Sequence, residues 1–184
     1  MGLSDRDYHR SLPGNGSIFM PGITPVVKVL LILNLGIFVL DYLILPLAMG
    51  LKLDGFHAPP LLRWGAFTIQ TSILEFKVWE FVTFQFIHGN LLHIIFNCLG
   101  IYFFGPWMER WWGAKKFLIY YLLCGIGGAA FFSILSVLNI IPGGYDSYLV
   151  GASAGIYGIL MGVAFIAPEL RVRLLFPPIE LTMR

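Results

Sequence analysis

Charge is what this sequence has least of. Only 12% of its 184 residues are Asp, Glu, Lys or Arg, against roughly 25% in soluble domains. So few ionised groups cannot make a water-facing surface, and lipid is expected to cover much of the molecule. The 12 Lys and Arg against 10 Asp and Glu leave a net charge of +2 with no basic run, which excludes the electrostatic footprint of a nucleic-acid binder. Cysteine is nearly absent: Cys98 and Cys124 both lie in apolar stretches without C-x-x-C spacing. They read as small buried hydrophobes, and no disulfide or redox site is inferred. H-E-x-x-H is missing too, and no third Cys, His or carboxylate accompanies the His93/Asn97 pair in sequence, so neither a metal nor a cofactor is expected. Near the N-terminus, Asp5, Arg6, Asp7 and Arg10 precede Pro and Gly without an apolar core or cleavage site. No signal peptide is expected there, and Arg6 breaks the myristoylation pattern.

What the chain does have is 58% hydrophobic and 16% aromatic residues. About 20 apolar residues span the roughly 30 Å of bilayer hydrocarbon, and four stretches approach that: about Val29 to Met49, Ile87 to Trp107, Phe117 to Ile141, and Tyr148 to Ala167. The reading is an all-α polytopic membrane bundle, with a cytoplasmic segment over residues 1–25 and a membrane domain over 26–184. Gly50 to Phe86 is amphipathic and aromatic, with Trp64 and Trp79, and reads as an interfacial segment. The remaining connections are expected at Met108 to Lys116 and Pro142 to Ser147.

Orientation follows from where Lys and Arg fall. Four spans place Arg6, Arg10, Lys28, Arg110, Lys115, Lys116, Arg171, Arg173 and Arg184 on one side and Lys52, Arg63 and Lys77 on the other. Nine against three puts the N-terminus inside the cell.

Polar side chains within spans are costly and face a protein interior by default. Spans two and four both run inward from the outer face, so their early residues share a level. His93 and Asn97, four apart, occupy one helical face, about 7–14 Å below His88 at the helical rise of 1.5 Å per residue. His88, five residues before His93, is expected to point elsewhere. Ser153, five residues past Tyr148, lies at comparable depth. Each polar residue alone could be interhelical glue, and Ser153 stands in a small-residue surface of Gly151, Ala152, Ala154, Gly155, Gly158 and Gly162 that suits close helix packing. Gly151 to Gly155 also spells G-x-S-x-G, but an α/β-hydrolase elbow needs a preceding strand and a sheet, which an uncharged span does not supply.

His88-x4-His93-x3-Asn97, Glu109-Arg110-x2-Gly113 and Gly151-Ala152-Ser153-Ala154-Gly155-Ile156-Tyr157-Gly158, in this order, resemble the rhomboid family of intramembrane serine proteases. The likeness runs from about Thr24 to the end, including Leu175-Phe176-Pro177-Pro178. It implies a rhomboid-like bundle of six spans, four of them present here. Ser153 would be the nucleophile, and His93 and Asn97 with the Ser153 backbone N–H the oxyanion hole. Gly151 would allow close approach, Tyr157 would correspond to the tyrosine beside the catalytic imidazole, and His88 to a structural histidine. The implied partners are transmembrane protein substrates and the lipid bilayer, and the implied setting is a bacterial inner membrane. Oligomeric state is not addressed.

Two departures stand out. The family's general base is a histidine on the sixth helix, and no histidine follows His93 here; the chain is therefore expected to be a C-terminally truncated rhomboid, inactive as it stands. Glu80 follows Trp79 where many relatives have Arg, and the family pattern gives Asp41 no role. The competing function is a non-proteolytic protein that binds membrane helices. A channel would need the polar set to continue towards the inner face, and it does not. His88 or His93 acting as the base is the least favoured reading.

Overall fold

A computed structural model describes residues 22–51, 59–169, 171–173 and 180–182 of the chain. Most of residues 1–25, Lys52, the Leu175 to Pro178 motif and Arg184 lie outside the described residues. Among the described residues, three helices are long and apolar enough to cross a bilayer: Pro25–Ala48, Leu91–Trp112 and Ala114–Val137.

The first begins as α1 (Pro25–Val39), widens into a π turn at Leu40–Ile44 and finishes as α2 (Leu45–Ala48). Pro25 suits the first turn, where an amide hydrogen has no intrahelical acceptor. Pro46 supplies no amide hydrogen to the turn before it, and the widened turn lies just there. Thr24 does not cap α1 with its side chain. The cap comes from Glu109, far along the chain: its carboxylate accepts the amide hydrogens of Val26 and Val27, each at 3.0 Å, and the Thr24 hydroxyl.

The interfacial segment folds into single turns, among them α3 (Leu62–Gly65), a π turn at Ile69–Leu74 and α4 (Glu80–Thr83). Phe76 and Trp64 stay exposed, and Trp64 stacks on Trp79 at 5.9 Å. Asp41 holds the near end of the segment, accepting the Leu61 amide at 2.7 Å. Glu80 is fully buried and accepts the hydroxyls of Thr71 and Ser72, so it braces the segment from within.

α5 (Leu91–Trp112) and α6 (Ala114–Val137) meet at Gly113 alone, at φ 79°. The expected connection from Met108 to Lys116 is therefore almost all helix. Glu109 and Arg110 look like loop residues by charge, but Glu109 is buried as the cap of α1, and Arg110 donates to the Gly22 carbonyl.

The fourth apolar stretch differs most from expectation. α7 (Ser153–Ile166) has 14 residues, about 21 Å of helix at 1.5 Å per residue, and is shorter than a span. Before it, the chain enters in extended form: Leu149 exchanges backbone hydrogen bonds with Phe67, and the Gly151 amide donates to the Phe84 carbonyl. An apolar run of five residues reads equally well as helix or strand by hydropathy, and here pairing with the interfacial segment decides. Phe67, Phe84 and Ala129 form a fully buried cluster around this entry.

α7 then packs against α5 and α6 through its small residues. A Cβ at Gly155 would lie 2.4 Å from the Tyr121 ring and one at Gly158 2.3 Å from Cys124 Sγ. Beyond α7, β1 (Arg171–Arg173) and β2 (Glu180–Thr182) form a short antiparallel ladder outside the all-α pattern.

Candidate active site

Asn90 starts α5: its extended backbone ends the preceding turn, and its side-chain oxygen accepts the His93 amide at 2.8 Å. That fixes His93 in the first turn of α5, with Asn97 one turn further. On the facing side stands Gly151, at φ 102°, a conformation that strains any residue with a Cβ. A Cβ there would also lie 2.5 Å from His93 Nε2, 2.6 Å from its Cε1 and 3.2 Å from Asn97 Nδ2. His93 and Asn97 therefore aim their nitrogens at the backbone two residues before Ser153.

Asn97 is 5% exposed and its Nδ2 has no hydrogen-bond partner. A buried donor left unmade costs about 1–3 kcal/mol, and such a group marks a place where something other than stability is served. Ser153 is the first residue of α7 rather than the sixth of a longer helix. Its amide, in the first turn, has no intrahelical acceptor, and its half-buried hydroxyl makes no hydrogen bond among the described residues.

His88 lies in the turn before α5, not on its first helical turn. Helical spacing therefore does not apply, and instead of pointing away from His93 its ring meets that of His93 edge to face at 5.1 Å. His88 is 2% exposed, and neither ring nitrogen has a hydrogen-bond partner of good geometry. Tyr157, one turn past Ser153, is 72% exposed. No third His, Cys or carboxylate joins the two imidazoles among the described residues.

Sequence reasoning left Asp41 and Glu80 without roles and passed over Tyr42. The Tyr42 hydroxyl reaches the carbonyls of Gly89, at 2.5 Å, and His88, at 3.2 Å. A polar Asp41-Tyr42 pair inside an apolar span was the signal available.

The fold and this site define a class: an integral membrane helical bundle with polar side chains gathered where an extended segment turns into a short helix. The Rhomboid domain model matches residues 75–183, and the chain belongs to the rhomboid family. It is 33% identical over 112 residues to RHOMBOID-like protein 4 of Arabidopsis thaliana, covering 56% of this chain and 26% of that one. Rhomboid-like protease 3 of Toxoplasma gondii is 36% identical over 90 residues, 49% of this chain and 31% of its own length. Rhomboid protease AarA of Providencia stuartii is 32% identical over 106 residues, 54% of this chain and 37% of its own. The chain thus spans about a quarter to just over a third of these relatives.

Proposed function

We infer that this protein is a serine endopeptidase of the rhomboid type, cutting transmembrane segments of other membrane proteins. The observation that carries the reading is the convergence of His93 Nε2 and Asn97 Nδ2 on Gly151, two residues before Ser153 in the chain. In this mechanism Ser153 Oγ attacks the scissile carbonyl. Negative charge develops on the carbonyl oxygen, and the Ser153 amide, His93 Nε2–H and Asn97 Nδ2–H stabilise it. Such donors are set before the reaction and act in a water-poor site, where one is typically worth about 10²–10³ in rate. A hydroxyl also needs a base to take its proton, and no described residue fills that role.

Proposed orientation follows the charge count, with the N-terminus cytoplasmic and the Gly143-Gly144 turn outside. A cysteine placed at Gly144 should then react with a membrane-impermeant thiol reagent added to intact cells; reaction only after lysis would reverse the topology. The non-helical run from Tyr148 to Ala152 supports a reaction site below the surface, which a substrate helix would have to partly unwind to reach, because unpaired backbone is costly in hydrocarbon.

The test of the activity is covalent labelling by a fluorophosphonate serine probe, in native membranes, of the protein completed with the helix that carries the family's histidine base, and of its Ser153→Ala variant. Labelling that disappears in the variant is the expected result, and equal labelling would sink Ser153 as the nucleophile. The non-proteolytic alternative, binding membrane helices, predicts that Ser153→Ala leaves function untouched.

A further inference from the structure

We propose that Tyr42, on the first span, is a positioning residue for His93: it fixes the His88–Gly89 backbone that sets the His93 ring proton on Nε2. This rests on the proposed oxyanion role of His93. The chain of contacts starts at the ring. The Gly89 amide faces His93 Nδ1 at 3.5 Å, a long contact that makes Nδ1 the acceptor. In a neutral imidazole one nitrogen donates and the other accepts, so the proton belongs on Nε2, the atom that faces Gly151. The opposite tautomer would turn a lone pair towards the developing negative charge.

Gly89 does not hold itself in place. It is exposed, and a Cβ on it would touch nothing within 4 Å. Asn90 pins the His93 backbone but not the peptide before it. Tyr42 does that, with its hydroxyl against both the His88 and Gly89 carbonyls.

Two features suit Tyr42 to the task. It lies in the π turn Leu40–Ile44, where Asp41 holds the other end of the interfacial segment at the Leu61 amide; π turns inside helices are frequent at functional sites. Its ring is stacked on Phe38 at 4.4 Å, so the ring has support that does not depend on the hydroxyl. Tyr42→Phe therefore removes the contact to Gly89 and leaves the packing.

The experiment compares the full chain and its Tyr42→Phe variant in lipid bilayers, with ¹⁵N-labelled histidine, at a pH where imidazole is neutral. The two ring nitrogens report the tautomer by their ¹⁵N shifts, and His93 is assigned by the signal lost in His93→Asn. We expect His93 to carry its proton on Nε2 in the parent and to become a mixture of tautomers in Tyr42→Phe. In the protein completed with the helix that carries the family's histidine base, fluorophosphonate labelling should slow by about fivefold in Tyr42→Phe, the effect of one hydrogen bond of ordinary net strength, with the half-saturating probe concentration unchanged. An Nδ1–H tautomer in the parent, an unchanged tautomer in Tyr42→Phe, or an unchanged labelling rate overturns the proposal. If Ser153→Ala labels as the parent does, the nucleophile reading fails on its own, and the tautomer still decides the role of Tyr42.

Discussion

The two ends of the bundle treat polar groups in opposite ways. At the end where α1 begins, Glu109 is buried and satisfied: it accepts two backbone amides and a hydroxyl, and Arg110 beside it reaches Gly22. At the end where α5 and α7 begin, Asn97 Nδ2 and both nitrogens of His88 are buried without partners. Other orphaned atoms, on Asn34, Glu80, Gln85 and Tyr121, lie in the middle or towards that same end, and none belongs to the Glu109 cap. One end closes helix α1 with hydrogen bonds that serve stability. The other leaves buried polar atoms unpaired, which costs stability, and under the proposed function the Asn97 donor among them is held for charge that appears only during a reaction.

The sharpest way to break this contrast is at Gly151. Gly151→Ala puts a methyl group 2.5 Å from His93 Nε2 and forces a Cβ into a positive-φ conformation. Fluorophosphonate labelling of Ser153 should fall by at least about 10²-fold, since the donor geometry is displaced. Melting in detergent should change far less than this loss of reactivity implies. A variant that labels like the parent would show that Gly151 does not shape the site.

The opposite dissociation is expected at the other end. Glu109→Ala removes three hydrogen bonds to a charged acceptor and should lower stability by about 3 kcal/mol, while the labelling rate per folded molecule stays within about twofold. Glu109→Gln keeps one carbonyl acceptor but turns its amide nitrogen on a neighbouring donor, so a loss between parent and Ala is expected. Denaturation by a harsh detergent, followed by tryptophan fluorescence, measures both; loss of labelling in parallel with stability would mean that the two ends are coupled.

How much of this contrast was readable in advance depends on the kind of signal each residue left. The three long spans were plain, because hydropathy over about 20 residues is a strong and local measure. The small-residue face of α7 could likewise be read from spacing. Tyr148 to Ala152 could not, because Tyr, Leu and Val are apolar whether they start a helix or pair as a strand. The His88 error was avoidable: Asn90 directly before an apolar run is a helix-start signal, and it moves His88 off the helix. Asp41, Glu80 and Glu109 hid for another reason. Their partners are Leu61, Ser72 and Val26, and tertiary pairings of this kind leave no local pattern in the chain.

The Trp64–Trp79 pair supplies a third condition between the two ends, because there the surroundings themselves can complete the hydrogen bonds. Trp79 Nε1 donates to the Trp64 carbonyl at 3.0 Å, yet both side chains are exposed, Trp64 to 59% and Trp79 to 41%. If orphaned donors matter only where water and headgroups are excluded, losing this bond should hardly register. Trp79→Phe keeps an aromatic ring at the interface and removes the N–H, and the freed carbonyl can take a water instead. We expect a stability change below about 1 kcal/mol and an unchanged labelling rate. A larger loss, comparable with Glu109→Ala, would mean that the interfacial segment is as tightly sealed as the α1 cap, and exposure would then no longer explain why one end tolerates what the other cannot.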